Sequence, residues 1–169
     1  MIIMGIDPGY AIVGYGVVDY TAGHRFRPVA YGAIITEADT PFEQRLEHIW
    51  DRLVFLLSKY KPKEIAVEKL YFTTNQKTAI QVAQARGVIL LAAVKAGVEV
   101  YEYTPLQVKQ SVVGYGKAEK NQVMQMTKSL LGLEQIPKPD DAADALAIAI
   151  CHSHTSGSRV NMKNLLYRG

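Results

Sequence analysis

The sequence holds a single cysteine, Cys151, in 169 residues. No disulfide can form within the chain and no cysteine-based zinc site can be built, which suits a reducing compartment and gives the expectation of a cytoplasmic protein. Long apolar runs are also missing: the longest, Gly87 to Val94, stops at Lys95, well short of the roughly 20 residues that cross a bilayer. No membrane partner is expected. The N-terminal MIIMGID meets Asp7 early and has no basic region ahead of it, so it does not read as a secretory signal. The histidines His24, His48, His152 and His154 form no HExxH pair, and the last two read as surface residues of a polar tail. No Walker A loop occurs either. GYAIVGYG has the glycines of a phosphate loop, but its β-branched and aromatic filling suits a hairpin strand.

What is present is an ordinary globular composition, 49% hydrophobic and 21% charged, long enough for one core that hides roughly 70% of the unfolded chain's surface. Nineteen Lys and Arg against sixteen Asp and Glu leave a charge of +3, a mild bias toward polyanions that matters only where the positive charge is clustered. One domain over residues 1–153 is expected, followed by a flexible C-terminal tail over 154–169, where Ser, Thr and Gly give way to basic and polar residues.

Three β-rich runs come first, Ile2 to Ile6, Ile12 to Asp19 and Val29 to Thr36, separated by turn residues. Leu46, Ile49, Leu53, Leu56 and Leu57 then recur at helical spacing until Pro62. A strand from Glu64 to Glu68, a helix from Gln76 to Lys95 and a strand from Val98 to Tyr103 follow. Pro105 opens another helix, Lys109 to Lys120 reads as a glycine-containing loop, and helices are expected over Glu119 to Leu131 and Asp141 to His152. Three strands in succession and then strand–helix alternation imply an α/β fold, a five-stranded mixed sheet with helices on both faces. In such a sheet ligands bind beyond the carboxyl ends of the parallel strands.

Two acids stand at that place, Asp7 ending the first strand in GIDPG and Glu68 ending the fourth in IAVEK. Taken singly, Asp7 also suits a turn and Glu68 an ion pair. PDDAADALAIAI adds Asp141 and Asp144, three apart on one face of a helix whose alanines allow close approach to the sheet; Asp140 suits its N-cap. Carboxylates gathered this way repel one another unless divalent cations neutralise them, and hard oxygen donors suit Mg²⁺ or Mn²⁺. Two such ions can activate water for in-line attack on phosphorus.

GIDPGYAIVGYG, the Glu in VEKLYF, QVAQARGVILLAA, VKQSVVGYGKAEKNQV and DDAADALAIAI, in that order, closely resemble the RuvC family of bacterial Holliday-junction resolvases, from about Ile2 to His154. The resemblance implies a ribonuclease-H-like fold, a homodimer joined through the helix at Gln76 to Lys95, and paired metal-dependent cuts in a four-way DNA junction. It places the catalytic and metal-binding acids at Asp7, Glu68, Asp141 and Asp144, with two Mg²⁺ per subunit and Mn²⁺ as a substitute. Lys109 and Lys120 match DNA-contacting lysines, Lys117 adds charge to the same loop, and Tyr71 or Phe72 is expected to stack on an unpaired base. A branch-migration helicase complex of RuvA and RuvB is the implied partner. GIDPG also resembles the phosphate loop of actin-like and sugar-kinase ATPases, but those close two such domains around a nucleotide and this length supplies one.

Overall fold

A computed structural model describes residues 1–21, 25–70 and 76–166. Strands β1 (Ile2–Asp7), β2 (Ile12–Thr21) and β3 (Arg25–Ile35) form an antiparallel meander, and β4 (Glu64–Glu68) and β5 (Glu99–Tyr103) extend it in parallel. The sheet order is β3-β2-β1-β4-β5. This is the expected five-stranded mixed sheet. β3 starts earlier than Val29 because a bulge at Val17/Val18 carries the ladder past Pro28, and β3 lies at the sheet edge, where proline is tolerated.

Side-chain alternation assigns the two faces. Met4, Ile6, Val13, Val17, Ile65 and Val67 point to one core, under α1 (Phe42–Tyr60) and α2 (Gln76–Lys95). Ile3, Val18 and Ala66 point to the other, where they meet α3 (Pro105–Val113), α4 (Lys120–Leu130) and α5 (Asp140–Leu166). Ile49, Leu53, Leu56 and Leu57 form the buried stripe of α1, which ends at Lys61 in the left-handed region, followed by Pro62.

Two boundaries differ from expectation. Lys109 to Val113 is helical, because Thr104 and Gln107 cap α3 reciprocally and its left-handed stop is Gly114, so the loop shortens to Gly114–Glu119. The last helix, expected to end at His152, runs on, and the backbone of α5 is helical to Leu166. Ser153 and Thr155 look like helix breakers in the sequence, but their hydroxyls donate to the carbonyls of Ala149 and Cys151, four residues back, at 2.8 and 3.0 Å.

One stretch, Thr78–Lys95 of α2, is long and apolar enough by length and composition to span a bilayer, with a mean hydropathy of 1.2. Ala85, Ile89, Ala92 and Ala93 are instead packed into the core, and Arg86 is paired with Glu102 of β5, so the helix is committed to this sheet. Its outer stripe, Ile80, Leu91 and Val94, remains exposed.

Candidate active site

The acids are placed by three elements that meet at one end of the sheet. Asp7 closes β1, and Glu68 follows Val67, the partner of Ile6, so the two acids end neighbouring parallel strands. α5 comes down across β1 and β2 on glycine. A Cβ on Gly5 would sit 2.7 Å from the Ala149 nitrogen, and one on Gly16 would sit 2.7 Å from the Leu146 nitrogen. Gly14, the cross-strand partner of Asp7, would strike the backbone of Asp141. Alanines on the helix side, Ala142, Ala145 and Ala149, complete this close fit.

Asp7, Glu68 and Asp144 thereby share one cleft of about 270 Å³ with Lys109 and Lys120, against an apolar wall that includes Val108, Val123 and Ile148. Asp141 is not in the lining of this cleft. It stands over Gly14 in the first turn of α5, and its charge reaches both Asp7 and Asp144. Lys117 lies outside the cleft on the exposed loop, and Asp140 pairs outward with Lys138 at 2.8 Å. Tyr71 and Phe72, expected to stack on a base, lie outside the described residues, as does His24.

Crowding shows in the proton affinities. Burial pushes the Asp7 carboxyl up to about 7, and the charges of Glu68, Asp144 and Asp141 add to it while Lys120 opposes. Glu68 and Asp144 are raised as well, again chiefly by burial. Lys120 offsets part of this, with Nζ 3.0 Å from Asp144 Oδ2 and 3.9 Å from Asp140 Oδ2. Hydrogen bonding to Asp144 is the main cause of the raised Lys120 pKa. The donors are therefore hard oxygens whose ionised state is held back by burial and by one another, a set that fits a divalent cation. They are not drawn closed around one point: among the described residues no three carboxylates, imidazoles or thiols are grouped tightly enough to hold a metal as they stand.

Two buried polar networks were not expected from the sequence. Arg45 is buried beneath the turn that follows Asp7, donating from Nε to Thr36 Oγ1 at 2.8 Å, with its guanidinium carbon 4.8 Å from the centre of the Tyr10 ring. Thr36 in turn donates to the Tyr10 carbonyl at 2.7 Å. His152 is fully buried and not a surface residue: its Nε2 is 2.6 Å from Glu64 Oε2 and its Nδ1 is 2.7 Å from the Tyr103 hydroxyl. His154 is half-buried, with Nδ1 2.9 Å from Ser111 Oγ. The phase of α5 carries the signal for His152, one turn beyond the buried Ile148.

Comparison with known proteins was consistent across sequence and structure. Residues 3–152 match the family described as Crossover junction endodeoxyribonuclease RuvC. A protein of that name from Alkaliphilus metalliredigens is 59% identical over 155 residues, covering 92% of this chain and 94% of its own. The structure of Thermus thermophilus RuvC in complex with a Holliday junction substrate superposes with a TM-score of 0.89 at 37% identity, covering 94% of this chain and 96% of that one. The yeast mitochondrial Holliday junction resolvase, at 16% identity and a TM-score of 0.66 over 98% of this chain and 85% of that one, shares the fold.

Proposed function

The chain belongs to the RuvC family of crossover junction endodeoxyribonucleases, and from that premise we propose that it is a Holliday-junction resolvase that nicks two opposed strands of a four-way junction symmetrically. The observation that carries this reading is the cleft itself, in which acids from the ends of two neighbouring strands and from α5 meet two lysines. A ligand bearing phosphates and divalent cations answers both signs of charge.

Asp7, Glu68, Asp141 and Asp144 are the residues that would hold the metal, which we assign as two Mg²⁺ per subunit with Mn²⁺ able to substitute. When bound, such cations supply the positive charge that lets the acids stay ionised together, polarises a water and stabilises charge on the scissile phosphate. The protein's own groups do the rest. Asp7 and Glu68 are fixed by the strand ladder, so the oxygens facing the phosphate cost little reorganisation. Lys109 and Lys120 in the cleft, with Lys117 on the adjoining loop, are assigned to contact backbone phosphates. The apolar wall limits water around the acids.

Hydrolysis places the water oxygen on phosphorus and breaks the bond to the 3′ oxygen, leaving a 5′-phosphate and a 3′-hydroxyl that a ligase can rejoin. Tyr71 or Phe72 is assigned to stack on a base opened at the junction centre, worth about 1 to 3 kcal/mol. The exposed stripe of α2 is assigned to a second copy of the chain, since an isologous dimer carries two identical sites to the two opposed strands of a nearly two-fold junction. Action in recombination and repair beside the RuvA and RuvB branch-migration complex, in the cytoplasm, completes the proposal.

The test is incubation with a synthetic immobile four-way junction, with and without Mg²⁺, and strand lengths read on a denaturing gel. Two symmetric, ligatable nicks that require the cation are expected. An uncut junction, or cuts of equal rate in a chelator, would refute the assignment.

A further inference from the structure

We propose that Lys120 is the acid cluster's own counter-ion: it holds Asp144 in the metal-free protein and gives that carboxylate up to a divalent cation, after which its ammonium serves a phosphate of the bound strand. This rests on the metal-dependent reading given above and adds to it an order of events in the site.

The two lysines of the cleft are in different situations. Lys120 makes an ion pair with Asp144 at 3.0 Å and a longer one with Asp140 at 3.9 Å. Lys109 has no carboxylate within ion-pairing distance among the described residues. Lys120 is also the first residue of α4, where the exposed N–H groups disfavour a cation, so its position is tolerated because the acids of α5 face it. Its side chain is 56% exposed, against 29% for Asp144. The stem therefore approaches from the solvent side and can swing away without disturbing the core.

An ammonium and a divalent cation compete for Asp144, because their charges repel at that range. With Lys120 in place the carboxylates remain spread, in keeping with the absence of any closed three-ligand group among the described residues. Metal binding and the Lys120–Asp144 pair are then linked reciprocally, each weakening the other. Loading of the cation would thus release a charge toward the incoming strand.

The experiment is a calorimetric Mg²⁺ titration of the DNA-free protein as wild type, Lys120→Met and Lys120→Arg, at one pH and salt concentration. Lys120→Met should bind Mg²⁺ at least about fivefold more tightly, the lower end of ordinary coupling energies, and Lys120→Arg should stay near wild type. Acylation of lysines in the wild-type protein, read by mass spectrometry, supplies a measurement that needs no variant. Labelling of Lys120 should rise on saturation with Mg²⁺ while that of Lys59 on α1 stays constant. Equal or weaker Mg²⁺ binding by Lys120→Met, or Lys120 labelling unchanged in protein shown calorimetrically to have bound Mg²⁺, overturns the exchange and leaves the nuclease reading intact. Failure of all three proteins to bind Mg²⁺ removes the metal-dependent reading and this inference together.

Discussion

Gly14 lies directly beneath Asp141: a methyl group at Gly14 would overlap the Asp141 carbonyl oxygen and come 3.0 Å from its Cβ. Gly14 is also the ladder partner of Asp7, so one glycine sets the height of the first turn of α5 above the strand that carries the first acid. Gly14→Ala should lift that turn, costing about 1 to 3 kcal/mol of stability through overpacking. Displacement of Asp141 and Asp144 by about an ångström should lower junction cleavage about 100-fold. Urea unfolding and a nicking time course report the two effects, and wild-type cleavage by the variant would show that the seat of α5 does not set the acid geometry.

The pH dependence of the metal-free protein follows from Asp7. Its carboxyl is raised from 3.8 to about 7 in the folded state, so between those values the folded chain binds more protons than the unfolded one. Stability therefore declines as pH rises through that window and is lowest above about 7, with a ceiling of about 4 kcal/mol from Asp7 at 1.36 kcal/mol per pK unit. Glu68 and Asp144, raised as well, act in the same direction. In the presence of a chelator the urea midpoint should be lower at pH 8 than at pH 5. Asp7→Asn should flatten much of that decline and be more stable than wild type at pH 8 while cutting no junction. A wild-type midpoint that rises from pH 5 to pH 8 would contradict the burial of an incompletely compensated charge at Asp7.

The sheet was legible in the sequence because its strands are β-rich and punctuated by turns, and Asp7 and Glu68 could be placed because each ends an apolar run. Asp144 was legible from its spacing to Asp141 on a small-residue helix. The Lys120–Asp144 pair was not, since it joins α4 to α5 across a turn of the chain that no periodicity describes. Nor was the Arg45–Thr36–Tyr10 network, because a buried arginine in a first helical turn looks like any exposed one until its stacking partner is known. The length of α5 was underestimated for a local reason: hydroxyls that bond back to the i−4 carbonyl have the composition of a loop and the conformation of a helix.

Glu64 and His152 offer a separate test of stability without chemistry. Glu64 begins the strand that Glu68 ends, about 13 Å away at 3.3 Å per residue. A carboxylate can only accept, so Nε2 of His152 donates to it, while Nδ1 lies 2.7 Å from the Tyr103 hydroxyl. Glu64→Ala would leave a fully buried N–H without that partner, at a cost of about 1 to 3 kcal/mol. The melting temperature should fall, and cleavage measured well below it should stay within about twofold of wild type, since no acid of the cleft moves. Lost cleavage at unchanged stability would mean that the histidine network reaches the site.

Gly87 separates the fold of α2 from its outward surface. A Cβ added there would meet nothing within 4 Å, so Gly87→Arg should leave the monomer's stability within about 0.5 kcal/mol of wild type, after allowing for the usual gain from removing a helical glycine. The same substitution sets a charge between Ile80 and the pair Leu91 and Val94, which are 62%, 50% and 67% exposed. If that stripe is the contact between two copies, burying an unpaired guanidinium there costs several kcal/mol and dissociates them. Sedimentation equilibrium should report a dimer for wild type and a monomer for Gly87→Arg at the same micromolar concentration. On a junction tethered in a supercoiled plasmid, where paired nicks linearise and single nicks relax, the variant should shift the product from linear to relaxed circles. A variant that remains dimeric and still linearises the plasmid would move the subunit contact off this stripe of α2.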